Sequence, residues 1–433
     1  MRAPHMRMAA LKTAVLALGA VSLLAQDPSP VPEETALMRA DLLWVRGQFD
    51  EADDLYASEL ARDGSPRARF GVARSLAMRS RLDEALREVT IAREAAPTDG
   101  SIAALRGDIY QRLFRYQEAA EEYETALRYG RSEMRMIRDA IRARITLLKS
   151  LNRDRQTAIE PDPNGVYSVP FELRQRKVVI PARVNGTSLN FVIDTGSERS
   201  AVSEDVASRA RMRIVGETFA AGVGSPGVFS LGVTAADRIE IGGLRLRNIP
   251  LSVRRVNPRV GLPSWQYEIF SPSALGLSTK IDYQKRVVTF SRLLPEEPAA
   301  VRLPLRFYHL PMVRGILNDH LAAYFIVDTG GELISINSDT VPDLKMAPPS
   351  RRVPLRVFGM TGRDQGAFLL PGVDLAFQSI EYRNLGMAVL DLRTPSALLG
   401  FRVGGIVGHR FLAGHRVAMD LARSELRMDP ITN

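Results

Sequence analysis

Two aspartates stand in the same frame, in Phe191-Val192-Ile193-Asp194-Thr195-Gly196-Ser197 and in Phe325-Ile326-Val327-Asp328-Thr329-Gly330-Gly331. Each closes an apolar run and opens into a glycine turn, which sets a carboxyl at the end of a strand where the chain reverses. A carboxyl so placed is a candidate for general acid-base work on water or on a carbonyl oxygen. One such tripeptide arises by chance in many folds; the second copy makes Asp194 and Asp328 the candidate catalytic pair. Other chemistries lack their parts. The chain has no cysteine, so thiol catalysis and disulfides are excluded. Its five histidines, His5, His309, His320, His409 and His415, show no His-Glu-x-x-His spacing, and no Gly-x-Ser-x-Gly elbow occurs. No metal and no cofactor are implied, and His409 and His415 read as rim or surface residues.

The surroundings of the two aspartates also repeat. Ala274-Leu275-Gly276 ends 82 residues beyond Asp194, and Ile406-Val407-Gly408 ends 80 beyond Asp328. Each apolar-apolar-Gly run leads into an alternating segment, Ile281 to Phe290 and Val417 to Met428, the period of a half-buried strand. Between aspartate and apolar run come a glycine-rich stretch and a strand ending in Asn. The first copy has Gly222-Val223-Gly224-Ser225-Pro226-Gly227 and then Gly243-Leu244-Arg245-Leu246-Arg247-Asn248. The second has Gly359-Met360-Thr361-Gly362 to Gly366 and then Ile380-Glu381-Tyr382-Arg383-Asn384. The C-terminal part of the chain is therefore read as an internal duplication.

Four features recurring in this order resemble the retropepsin-like aspartic proteases, in the bacterial form that carries both lobes on one chain, over roughly residues 165 to 433. The resemblance implies an all-β bilobed fold, with lobes over 165–297 and 298–433, whose two carboxyls face one another, so that a monomer suffices for the site. Like charges about 3 Å apart share one proton. One carboxyl would then serve as base on water while the other donates to a peptide carbonyl, without a covalent intermediate. Protein or peptide would be the substrate. The resemblance further implies that Thr195 and Thr329 bond across the lobe junction and that Gly196 and Gly330 permit close approach to the carboxyls. Ser197 can donate to Asp194 where Gly331 offers nothing to Asp328, which would favour Asp194 as the anion. Gly222, Gly224, Gly359 and Gly362 would turn two hairpin flaps over the substrate. Gly276 and Gly408 would let a strand pass beside each aspartate loop. Phe219, Phe229, Phe358 and Phe368 are read as core before cleft, and Pro263 to Pro272, with Trp265 and Tyr267, as insertion-like residues.

Residues 35–150 are rich in Ala, Leu, Glu and Arg with helical spacing, so they are read as helices. Gly47-Gln48-Phe49-Asp50-Glu51-Ala52, Arg81-Leu82-Asp83-Glu84-Ala85 and Arg115-Tyr116-Gln117-Glu118-Ala119 recur every 33 to 34 residues, a period that resembles tetratricopeptide repeats. The small Ala admits a neighbouring helix, and Tyr56, Val89 or Tyr123 four residues on fills the gap. Pro97 falls at an inter-repeat turn. Solenoids of this type bind peptides or partner proteins; the repeats could equally dock on the β-lobes. A non-catalytic scaffold that binds peptides through repeats and lobes is the alternative to a protease. The linker is marked by Asp154, Pro161, Pro163 and Gly165.

At 45% apolar and 25% charged residues the composition is that of a folded chain, and its +9 formal charge, mostly arginine, is spread rather than clustered. Nucleic-acid binding is not implied. Arg2, Arg7 and Lys12 precede an apolar stretch from Ala14 to Ala25 and a Pro-rich segment, the pattern of a signal peptide over 1–25. The apolar stretch is short for a membrane helix, which needs roughly twenty residues. The expected location is periplasmic or secreted, with membrane attachment only if the leader is retained as an anchor.

Overall fold

The computed structural model describes residues 35–130, 135–151, 157–224, 228–255, 263–346, 352–359 and 362–431. The leader expected over 1–25 lies outside them. Among the described residues no helix is long and apolar enough to cross a membrane.

Seven helices lead the described chain: α1 (Ala36–Val45), α2 (Phe49–Asp63), α3 (Pro66–Met78), α4 (Leu82–Ala95), α5 (Gly100–Arg112), α6 (Tyr116–Tyr129) and α7 (Arg135–Ser150). Local signals set their ends. Ser65 accepts a bond from the Ala68 amide at the start of α3, with Pro66 in the first turn, and Asp99 caps α5 through the Ser101 and Ile102 amides. Pro97 lies in the turn between α4 and α5. The repeated small residues Ala52, Ala85 and Ala119 are fully buried, as are Tyr56, Val89 and Tyr123. Tyr56 lies against Gly71 of α3 and Tyr123 against Gly107 of α5, where any Cβ would overlap the ring. A buried phenol needs a partner. Tyr56 donates to Asp41, and Tyr123 donates to Asp108 at 2.7 Å.

After the helices the chain is β-rich, and it builds the same motif twice. In the first lobe the strand Ile269–Phe270 runs parallel to Thr187–Ile193 and antiparallel to Ala201–Ser203, which is itself parallel to Leu244–Arg254. In the second, Gly405–Val407 runs parallel to Leu321–Val327 and antiparallel to Ile334–Asn337, which is parallel to Ile380–Leu390. Wedging a strand between two others leaves Asp194 and Asp328 at matching strand ends. Matching aromatic stacks fill the cores. Phe191 packs on Phe270 and Phe270 on Phe290 in one lobe; Phe325 packs on Phe377 and Phe377 on Phe411 in the other. The lobes share a sheet, because Ser278–Asp282 pairs with His415–Asp420 across the junction. The fold class expected from the sequence, an all-α segment followed by a bilobed all-β region, is the one observed.

One equivalence drawn from sequence is corrected. The strand beside the Asp194 loop is Ile269–Phe270, so Ser271, not Gly276, stands where Gly408 stands in the second lobe. The reason is chemical. Fully buried Ser271 donates its hydroxyl to the Ser197 carbonyl at 2.6 Å, which a glycine could not do. Ala274-Leu275-Gly276 instead completes a short 3-10 turn, and Gly276 has nothing within 4 Å of its would-be Cβ. Ile269 and Phe270 are thus core strand, not insertion.

The helices dock on the second lobe. Ala36–Asn433 pack as one compact unit. Trp44 of α1 meets Phe49, Tyr308 and Phe401 with ring centres 5.4–5.7 Å apart, and the Arg74 guanidinium of α3 lies 3.5 Å from its ring centre. Arg306, 4% exposed, pairs with Asp53 at 2.7 Å and with Asp50, and donates to the Tyr324 hydroxyl. Arg112 of α5 lies 4.8 Å over Phe307. The inward side of α1, α3 and α5 is therefore spent on the chain's own hairpin of Val301–Tyr308 and Leu310–Leu317. On the first lobe, Ala235 packs among Tyr110, Tyr116 and Leu148, and Gly216 lies beside Thr146 of α7.

Candidate active site

Asp194 and Asp328 are carried on strand ends anchored alike: the Asp194 amide donates to the Phe270 carbonyl and the Asp328 amide to the Val407 carbonyl, both at 3.0 Å. The threonines that follow lock the two loops together. Thr195 donates its hydroxyl to the Val327 carbonyl at 2.6 Å and accepts the Thr329 amide at 3.1 Å; Thr329 donates to the Ile193 carbonyl at 2.8 Å and accepts the Thr195 amide at 3.1 Å. All four groups are buried, where such bonds exchange with no water. The glycines complete the approach. A Cβ on Gly196 would lie 2.5 Å from the Asp328 carboxyl carbon, and one on Gly330 would lie 2.6 Å from that of Asp194, so any side chain here would separate the pair.

The two carboxyls are hydrogen-bonded to each other. Burial first, and the Asp328 charge second, push the Asp194 pKa up from 3.8 to about 7; Arg254 and Lys177 pull the other way. Gly330 donates its amide to Asp328 at 2.8 Å. The expectation that Ser197 bonds Asp194 is not met, because its hydroxyl donates to the Arg199 carbonyl at 3.0 Å. At Gly331 a Cβ would sit 2.7 Å from Asp328, so no side chain fits there. Asp194 is thus driven toward its protonated form by burial and by its neighbour's charge, without a bond from the serine.

Further residues join the site that the sequence reading did not single out. Lys177, from the hairpin turn of the first lobe, donates to the Gly330 carbonyl and lies 4.0 Å from Glu332. His309, from the corresponding turn of the second lobe, lies 3.5 Å from Glu198. Each lobe thus offers a basic group to a glutamate four residues past the other lobe's aspartate. The signal was present, since Asp-Thr-Gly-x-Glu occurs twice. Arg254 carried none.

The four glycines expected at flap tips lie at hairpin turns. Gly222 and Gly224 follow the strand Gly216–Ala221, and Gly359 and Gly362 join Val357–Gly359 to Gly362–Asp364. Gly224 and Gly362 have φ of 119° and 123°, a region that favours glycine. The two hairpins meet, because Gly359 lies so close to the Val223 carbonyl that it has no room for a Cβ. On these hairpins Phe219 is 41% and Phe358 52% exposed, which corrects their reading as core; Phe229 and Phe368 are half-buried. Tyr267 is buried and Trp265 half-buried.

Residues 180–264, which include the Asp194 loop, match the family model described as aspartyl protease. The crystal structure of the aspartic proteinase from Irpex lacteus is similar over 62% of this chain and 98% of its own, at 14% identity and a TM-score of 0.38. No curated protein matches the chain. At the level of class, this stretch is similar to aspartyl proteases.

Proposed function

We propose that the protein is an aspartic endopeptidase in which Asp194 and Asp328 hydrolyse peptide bonds of an extended substrate. The observation that carries this reading is the pair itself: two carboxyls hydrogen-bonded across a lobe junction, one of them raised to about 7 by burial and its neighbour's charge. Such a pair holds one proton and one negative charge over a wide pH range. The ionised member removes a proton from water as its oxygen attacks the peptide carbonyl carbon. The protonated member donates to the carbonyl oxygen, giving a neutral diol. Collapse of that diol, with a proton passed to the amide nitrogen, breaks the C–N bond and returns the pair to one proton. The contact between the two glycine hairpins, Val223 against Gly359, supports substrate enclosure, with Phe219 and Phe358 as exposed apolar surface for it. The leader pattern supports export to the periplasm or beyond, and the docked helices support a role in holding the lobes rather than in recruiting a partner.

The test is cleavage of a diverse peptide mixture from acid to neutral pH by the full chain, by Asp194→Asn and by Asp328→Asn, with cuts mapped by mass spectrometry. Cuts by the wild type that vanish in each folded variant are expected. Cleavage surviving in either variant would refute the dyad, and none by the folded wild type would replace this reading with the peptide-binding one.

A further inference from the structure

Gly330 is a residue that both carboxyls of the pair touch. Its amide donates to Asp328 at 2.8 Å, and the place of its missing Cβ is 2.6 Å from the Asp194 carboxyl carbon. Around it the loop is held from within its own lobe: the Asp328, Gly331 and Glu332 carbonyls accept the backbone amides of Gly331, His409 and Arg410. The Gly330 carbonyl is held differently. It accepts the Lys177 ammonium, which comes from the other lobe.

The first lobe is built to deliver that ammonium. Arg174 pairs with Lys177 across a two-residue turn, and the residues between them, Gln175 and Arg176, have φ of 46° and 61°. Positive φ at both places gives the turn whose twist suits the strands beside it, and it fixes where Lys177 leaves the hairpin. Gln266, from the 3-10 turn Ser264–Tyr267, donates to the Gln175 side chain at 2.8 Å and tethers the turn. The Lys177 side chain is 13% exposed, with one Glu332 oxygen 4.0 Å away. Arg176 lies 3.9 Å from the other oxygen.

We propose that Lys177 is a positioning residue of the active site: from across the lobe junction it holds Gly330 between the two carboxyls and lends the pair a positive charge. The inference rests on the protease reading above. One consequence is geometric. Without the ammonium the Gly330 carbonyl loses its donor, and the glycine that spaces the carboxyls is free to turn. The other is electrostatic. A cation near a carboxyl favours its ionised form, so Lys177 opposes burial and Asp328 at Asp194 and helps to set the pH at which the pair gives up its shared proton. The charges that act on Asp194 are Asp328, Arg254 and Lys177. Those that face Lys177 are Glu332, Arg176 and His409.

The experiment uses the full chain as wild type, Lys177→Met, Lys177→Gln and Lys177→Arg. Cleavage of one peptide that the wild type cuts is followed from acid to neutral pH and above, and denaturant unfolding of the four proteins is followed over the same range. Met takes away both donor and charge, so kcat should fall about tenfold or more with KM little changed. The alkaline limb of kcat/KM should move up by about one pH unit. Gln takes away the charge and carries the same limb test where Met does not fold. Arg keeps donor and charge and should return the limb to its wild-type place. Unfolding reads the same proton without cleavage. The wild type loses stability between pH 3.8 and about 7 through Asp194, and in Met or Gln that loss should run to higher pH. A limb that stays in place in Met and Gln, a limb displaced as far in Arg, or a raised KM with kcat unchanged would overturn the proposal. A wild type that never cuts would sink the protease reading, and the unfolding window would then decide the role of Lys177 by itself.

Discussion

Replacing Asp194 with Asn removes a carboxyl whose ionisation the fold opposes. Burial, followed by the charge of Asp328, raises its pKa from 3.8 to about 7 in the folded chain. Each unit corresponds to about 1.4 kcal/mol, so a shift of this size is worth about 4 kcal/mol of folding free energy. A carboxyl with a raised folded pKa holds its proton more tightly folded than unfolded. Its stabilising contribution is complete below pH 3.8, falls as pH rises and is gone above about 7. The amide of Asn mimics the protonated carboxyl in shape and has no proton to lose. Between those limits the wild type should therefore lose about 1.4 kcal/mol per pH unit relative to Asp194→Asn, with near-equal stability at the acid end. Denaturant unfolding of both proteins at several pH values measures the difference. A difference that stays constant with pH would refute the claim that Asp194 is buried against a like charge.

Thr195→Val keeps the shape of the grip but strands the Val327 carbonyl and the Thr329 amide, two buried groups at about 1–3 kcal/mol each; unfolding should report a loss of about 2–6 kcal/mol together with a fall in cleavage, and a variant as stable as the wild type would mean the lobes are held elsewhere. Trp44→Ala removes the ring that meets Phe49, Tyr308, Phe401 and the Arg74 guanidinium, a loss of about 3–5 kcal/mol; limited proteolysis should then cut within α1 and α2 before the β-lobes, and unchanged protection would remove Trp44 from the docking.

Sequence reading succeeded where backbone requirements force residue type. Asp194 and Asp328 needed a glycine beyond each threonine because the opposing carboxyl occupies the space of a Cβ. Asn248 and Asn384 were legible as a pair for a similar reason, since both have positive φ, 55° and 52°, which Asn tolerates better than most residues. Reading failed where a side chain could substitute for a backbone feature. Ser271 stands where the second lobe has Gly408 and adds a hydroxyl bond to the Ser197 carbonyl, so the search for apolar-apolar-Gly moved past it to Gly276. Ser197 looked like a donor to Asp194 because it is adjacent in sequence, but the turn uses its hydroxyl at Arg199. The contacts of the helices with Tyr308, His309 and Glu198 join segments far apart in the chain, and no local pattern encodes them.

Duplication kept the backbone and let the side chains diverge. Arg254 and Leu390 occupy matching places, opposite Ser203 and Asn337 in strands of the same register, yet only Arg254 acts on an aspartate charge. Lys177 crosses the junction to the Gly330 carbonyl, whereas His309 sits between Glu198 and Asp108 of the helices. A cleft with two equal halves would accept an extended peptide in either direction, because each end would present the same groups. Here one glutamate, Glu198, meets His309 with Asp108 of the helices beside it, while the other, Glu332, meets Lys177. On the protease reading the two halves therefore offer an extended peptide different groups, and its two directions of binding are no longer equivalent.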